Sequence, residues 1–346
     1  CYSMKVLGLM SGTSLDGLDF ALVELSQLNG KYTYSLIASE TIPYTEYWED
    51  RLRAARILSG LKLTQLHIDY GRLLGDLSNQ FLKGKPQPDL ISSHGHTVFH
   101  QPNKGFTLQI GALEVLAEVT GVKTVGDFRK MDVAKGGQGA PLVPIGDKLL
   151  YGEYDYCLNL GGISNYSYSY KGVRKAKDLS PCNIVSNLLV NSINLGFDEG
   201  GRLGSKGNVD QILLAELDNW DYYKKGRSLG MEDLENDFLP SILNNSLSLE
   251  DKLRTYYEHI SKVIGGNLTQ HDSKTLITGG GAKNHFLIKK IQDYSTSRII
   301  IPHEKEIDFK EAIIFAFMGF LKIKGEINIL KSVTGASSDS ISGVVI

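Results

Sequence analysis

Cysteine is scarce in this chain: there are three in 346 residues, Cys1, Cys157 and Cys182. An odd number without framework or metal spacing excludes a disulfide scaffold and points to a reducing compartment. Cys157, inside the strand-like run YDYCLNL, reads as a buried, inert thiol. A charge surplus is also missing, with 37 Lys and Arg against 39 Asp and Glu. Nucleic-acid binders carry a basic excess, so no nucleic-acid partner is expected. Long apolar runs are absent too. The longest, AIIFAFMGFL from Ala312 to Leu321, is too short to span a bilayer, and no secretory h-region is found. The expected location is therefore the cytoplasm, with no membrane partner. Residues Cys1–Ser3 read as a short extension ahead of a strand that opens near Met4.

Two nucleotide-binding signatures are missing. No GxxxxGK[ST] occurs, which excludes a P-loop, and no GxGxxG opens a helix, which argues against a dinucleotide site. What is present is an ordinary globular composition, 42% hydrophobic and 22% charged, over a length that predicts two domains. The opening reads as three strands, Lys5–Met10, Leu18–Leu25 and Tyr32–Pro43, with turn chemistry between them. Helical spacing follows at Tyr47–Ser59 and Thr64–Leu82. Near residue 155 the strand–glycine turn–strand pattern returns in YDYCLNLGGISNYSYSYKGVRKAKDLS, which suggests a duplication. Later helices are expected at Pro181–Asn194, Leu249–Thr269, from near His285, and at Lys310–Lys324. The stretch Asn219–Asn245 reads as polar surface.

Three glycine-rich turns each follow an apolar strand: Gly12–Gly17 (GTSLDG), Gly161–Asn165 (GGISN) and Gly279–Asn284 (GGGAKN). Glycine allows positive φ and close backbone approach, so successive N–H groups can cradle phosphate oxygens. In the first turn Thr13 and Ser14 add hydroxyl donors, and Asp16 is suited to orient a metal ion or its water shell. Any one such turn is weak evidence, because most glycines serve only the turn. His94 and Asp127 each fall just after an apolar run, at the strand ends where open α/β sheets bind ligands.

The duplicated hairpin with phosphate-type turns is similar to the sugar kinase, Hsp70 and actin superfamily. Within it, GLMSGTSLDGLD, SSHGHTVFH, TLQIG, GDFRKMDVAKGGQGAPLVP, NLGGISN, LTGGGAKN and SVTGAS resemble the successive signatures of anhydro-N-acetylmuramic acid kinases. They keep the family order from Gly8 to Ser337. The resemblance implies a two-domain α/β fold of the sugar kinase/Hsp70/actin-like (ribonuclease H-like) class with an interdomain active-site cleft. Its first domain would span residues 4–130 plus about 308–346, and its second about 131–307. It also implies ATP and Mg²⁺ as cofactors and a small-molecule sugar as substrate. The reaction would be phosphorylation of O6 of 1,6-anhydro-N-acetylmuramic acid with hydrolytic opening of the anhydro bridge. On this reading Gly12, Thr13, Ser14, Asp16, Gly17, Gly161, Gly162 and Asn165 face the phosphates. Gly279, Gly280 and Gly281 contact the nucleotide, and Asp16 stands near the metal. His94, Thr97, Gln109, Asp127 and Arg129 contact the sugar, with Arg129 as partner of its lactyl carboxylate. Glu311 matches the family's acidic residue near the sugar. The resemblance also makes a homodimer a reasonable assembly.

Plainer readings compete: His94 capping a strand, Arg129 pairing with Asp127 or Asp132, and Glu311 as a first-turn helix charge. The chain also departs from the family. Its second-domain signature reads Asp-Thr-Gly-Pro-Gly-Asn, then three residues, then a catalytic Asp. Here it is DLSPCNIVSN, so Asp178, Pro181 and Asn183 remain while Asn187 occupies the position of the general base. An amide cannot deprotonate water near neutral pH. Asn183, Asn187 and Asn191 share one helical face, and Asp178 is the nearest retained carboxylate in this signature. Loop Lys224–Leu234 matches the family only loosely. The alternatives are an active kinase, a nucleotide- and sugar-binding pseudokinase, or a kinase acting on a free hydroxyl.

Overall fold

The computed structural model describes residues 2–12, 15–224, 229, 231–244 and 246–346. The chain forms two compact units: unit 2, Gly152–Asp308, interrupts unit 1, which runs to Tyr151 and resumes at Phe309.

In unit 1, β1 (Tyr2–Ser11) pairs antiparallel with β2 (Leu18–Leu28), and β2 with β3 (Lys31–Ile42). On its other side β1 pairs in parallel with β4 (Leu90–Ser93). A separate hairpin follows, β5 (His96–Gln101) and β6 (Phe106–Ile110), before β7 (Thr124–Gly126) pairs in parallel with β4. The sheet order is β3-β2-β1-β4-β7, and Val344–Val345 adds an antiparallel edge. Helix α1 (Gly60–Leu82) starts at Ser59, whose hydroxyl accepts from Lys62 N at 3.4 Å. It buries Leu66, Tyr70, Leu74, Ser78 and Phe81, one helical face, against Leu7, Leu9, Phe20 and Leu22 of the sheet. The Phe20 and Phe81 rings stack at 5.0 Å.

In unit 2, β8 (Tyr156–Leu160), β9 (Ile163–Tyr170) and β10 (Val173–Pro181) form an antiparallel meander. Strand β11 (Lys274–Thr278) runs parallel to β8, and β12 (Arg298–Ile300) parallel to β11. The order β10-β9-β8-β11-β12 is the same third-second-first-fourth-fifth arrangement found in unit 1. Two copies of one topology confirm the duplication and the sugar kinase/Hsp70/actin-like α/β fold. Helix α2 (Asn183–Asn191) follows the meander. Helix α3 (Leu249–Gly265) buries Leu253, Tyr256, Tyr257, Ile260 and Ile264 in a core shared with Leu158 and Leu160. Helix α4 (Glu304–Lys324) carries the chain back to unit 1. There it lies so close to β1 that a Cβ on Gly8 would stand 2.0 Å from the Ala312 carbonyl oxygen. Among the described residues no helix is long and apolar enough to cross a membrane.

Four sequence expectations change. Strand β1 opens at Tyr2, paired with Gln27, so Tyr2 and Ser3 of the supposed extension belong to the sheet, while Cys1 lies outside the described residues. Unit 1 continues past residue 130 to Tyr151, because Gly146 packs on Ile314 and Asp147 pairs with Lys310 at 2.7 Å, both partners buried. Helix α4 begins at Glu304, not Lys310. Finally, the described part of 219–245 is not surface throughout: its polar residues are largely exposed, but Trp220, Tyr222, Leu229, Leu234, Phe238 and Ile242 enter the unit 2 core. Leu234, Phe238 and Ile242 are spaced four apart, so sparse apolar residues fall on one buried helical stripe despite the polar composition.

Candidate active site

The first glycine turn joins β1 to β2. Thr13 and Ser14 lie outside the described residues, as do 225–228 and 230 of the loosely matching loop. Beside them Leu15 takes φ 60°, and Asp16 is exposed. Gly17 has no room for a side chain, since its Cβ would stand 2.6 Å from the Ile42 oxygen. Ser11, at the end of β1, fixes the base of this turn. Its hydroxyl bonds the Tyr44 hydroxyl at 2.7 Å and His96 Nδ1 at 2.9 Å, and Tyr44 bonds Tyr70 at 2.6 Å. Burial pushes the Tyr44 hydroxyl up to about 12, with Asp19 and Asp16 adding to the rise against its hydrogen bonds. Burial also lowers His96 to about 4, so its ring is neutral.

His94 and Asp127 stand directly after β4 and β7, at the carboxyl ends of parallel strands. Arg129 Nε and Nη2 both reach His94 Nε2, at 3.1 and 2.9 Å. That nitrogen therefore carries the lone pair, and Nδ1–H donates to the Gly95 oxygen at 2.9 Å. Burial, then the Arg129 charge, holds the His94 imidazole well below the usual histidine range. Arg129 Nη1 donates to the Gly139 oxygen at 2.7 Å. Burial lowers its guanidinium to about 10, opposed by Glu311, and it stays charged at neutral pH. Neither carboxylate considered from sequence holds Arg129: Asp127 pairs with Lys130 at 2.7 Å, and Asp132 is bonded elsewhere. Glu311 is not a first-turn charge, because α4 starts two turns earlier. It keeps access to water, while the surrounding protein pushes its carboxyl up against Arg129 and Lys310.

Thr97 and Gln109 meet across the β5–β6 hairpin, with Gln109 Nε2 donating to Thr97 at 3.3 Å and to Thr107 at 2.9 Å. Gln109 Oε1 is buried, with no hydrogen-bond partner among the described residues. His94, Gln109 and Asp127, with Ser93, His67 and Lys130, line one cavity of about 270 Å³ in unit 1. His67 and Lys130 carried no sequence signal beyond their neighbourhood.

In unit 2 the other two glycine turns are neighbours at the ends of β8 and β11. The first backbone N–H groups of α2 close the Gly161–Gly162 turn: Asn183 N donates to the Gly161 oxygen, and Cys182 N and Ile184 N to the Gly162 oxygen. These are donors a helix start otherwise leaves unpaired. Asn183 Nδ2 donates to the Leu160 oxygen at 2.9 Å. Gly279, at φ 83°, and Gly281 both press on Leu160, where a Cβ would come within 2.8 and 2.7 Å. Gly162 and Gly280 remain exposed. Asn187 sits half-buried on α2, one turn beyond Asn183. Thr278, Asn159, Asn165 and Asp178 are paired in register, a row across four strands. The Asp178 carboxylate accepts from Leu229 N at 3.0 Å, and burial raises it against that bond. It lines a pocket with Asp218, Tyr223 and Lys262, to which neither Asn187 nor the glycine turns contribute. Among the described residues no cluster of His, Cys, Asp or Glu forms a metal cage.

A family model described as anhydro-N-acetylmuramic acid kinase matches residues 4–346. The chain is 32% identical to the anhydro-N-acetylmuramic acid kinase of Gloeothece citriformis, covering 98% of each chain. It is 34% identical to that of Acaryochloris marina, with 98% and 99% covered, and 33% identical to that of Haemophilus influenzae, with 98% and 97% covered. With its signatures in order along both units, this chain belongs to the anhydro-N-acetylmuramic acid kinase family.

Proposed function

We propose that this carbohydrate kinase uses ATP to phosphorylate O6 of 1,6-anhydro-N-acetylmuramic acid while water adds at C1 and the C1–O6 bond breaks. The product is N-acetylmuramic acid 6-phosphate, an intermediate suited to cell-wall recycling in the cytoplasm. The observation that carries this reading is Arg129, charged and held by a neutral His94 and the Gly139 carbonyl. It suits an acceptor bearing a carboxylate, and Glu311 lies within its electrostatic reach. Gln109 Oε1 offers a further acceptor for the sugar. In unit 2 the exposed backbone at Gly162 and Gly280 suits phosphate oxygens. An exposed Asp16, in a chain whose described residues form no metal cage, fits Mg²⁺ held mainly by phosphates and water. When bound, Mg²⁺ neutralises charge on the transferring phosphoryl group.

Asn187 favours a second reading, a nucleotide- and sugar-binding protein with little turnover. Incubation with ATP, Mg²⁺ and the anhydro sugar in ¹⁸O-water decides between them. The first reading expects ADP and a ring-opened 6-phosphate labelled at C1. No product from folded, ATP-binding protein establishes the second. In that case Asn187→Asp raises turnover by about 10²–10⁴-fold, the usual worth of a general base. Sedimentation of the purified chain tests the homodimer that we also propose.

A further inference from the structure

The segment GGQGAPLVP, singled out by sequence, holds none of the residues assigned so far, yet its Gly139 carbonyl grips Arg129. What fixes that carbonyl is a carboxylate with no access to solvent. Asp132 is fully buried, and among the described residues no cation pairs with it. Its Oδ2 accepts from Gly139 N at 2.8 Å and its Oδ1 from the Thr334 hydroxyl at 2.7 Å. The segment can wrap this carboxylate only because it is glycine-rich. A Cβ on Gly137 would stand 2.2 Å from Asp132 Oδ2, and Gly139 adopts φ 65°. Thr334 also accepts Gln138 N on its backbone oxygen at 2.8 Å, so SVTGAS braces the same turn from the other side.

We propose that Asp132 and Thr334 are positioning residues for Arg129, setting its guanidinium plane so that its free N–H groups read the carboxylate of an acid-bearing sugar. Two supports define that plane, His94 Nε2 on one edge and the Gly139 oxygen on another. Among the described residues nothing else takes the remaining N–H on Nη1 and on Nη2, which leaves both for a ligand. Such a fork recognises a planar anion only if it is held in place. Asp132 touches no ligand itself; it acts through Gly139. This inference rests on Arg129 facing the acceptor, as in the proposed function.

The test is equilibrium binding by calorimetry, which does not require turnover. The ligands are the 1,6-anhydro sugar with its lactyl carboxylate and 1,6-anhydro-N-acetylglucosamine, which lacks that arm. The unmodified chain should bind the acid-bearing sugar more tightly. Thr334→Val and Asp132→Asn should weaken it by about 10- to 100-fold, the worth of a charge-assisted hydrogen bond, and leave the armless sugar little changed. Thr334→Ser should restore the preference. Equal weakening of both sugars, or no weakening in a folded variant, overturns the proposal, and so does an unmodified chain that does not distinguish the two. Thr334→Val serves if Asp132→Asn fails to fold. Binding that shows the arm dependence without turnover refutes only the kinase reading; binding of neither sugar refutes both.

Discussion

At Arg129 a cation rests on a histidine, an arrangement that works only while the ring stays unprotonated. Burial and the guanidinium together keep His94 neutral, so each of the two side chains maintains the state the other needs. Replacing Arg129 with Lys would keep the charge but lose the fork, because an ammonium cannot span His94 Nε2 and the Gly139 oxygen in one plane. His96 gives the clearest pH consequence. Its ring takes a proton near 6.5 when unfolded but only near 4 in the folded chain. Between those values the unfolded state binds more protons, so stability falls as pH drops through this window and is retained above it. The effect is about 3 kcal/mol. Urea midpoints for the unmodified chain and His96→Gln, compared from pH 7 to 4.5, should show a shallower decline in the variant. Residue identities at this site were legible from motifs, but their bonding was not. Arg129 has two nearby carboxylates in sequence and uses neither, because spacing along the chain does not say which group a fold brings opposite a guanidinium.

Among the elements, strands and long helices were readable because their apolar periods are strong. The segment 219–245 was not, since its core residues are diluted by Asp, Asn, Lys and Glu and broken into short helical turns. Phe238 shows how much it contributes. It is 1% exposed, with Trp220 at 4.8 Å and Tyr256 at 6.1 Å between ring centroids. Phe238→Ala should cost about 3–5 kcal/mol, read as a drop in denaturant midpoint at unchanged slope. A surface segment would lose almost nothing. The start of α4 is hidden in the sequence for a related reason: its first turns are charged, and its long apolar run begins only at Ala312.

For the whole molecule, the repeated strand order was legible because glycine turns punctuate both copies. The crossing between units was not, since it depends on what Gly146 and Asp147 pack against. The two functional readings share one molecular property, nucleotide binding. A non-hydrolysable ATP analogue at about 100 times its Kd should stabilise the chain by about 2.7 kcal/mol, seen as a raised Tm. Gly281→Val should abolish that shift, because a side chain there meets Leu160 at 2.7 Å and Asn183 at 3.0 Å.

The interruption of unit 1 by unit 2 also sets an order of assembly. A ribosome finishes Gly152–Asp308 before it makes Phe309–Ile346, so unit 2 has its full sequence while unit 1 still lacks Thr334 and all of α4 beyond Asp308. The sheet edge is closed late as well, when Ile346 exchanges hydrogen bonds with Thr124. During synthesis, Asp132 therefore waits without its hydroxyl partner, and the bonds that set the Gly139 carbonyl beside Arg129 are complete only once Thr334 has been added.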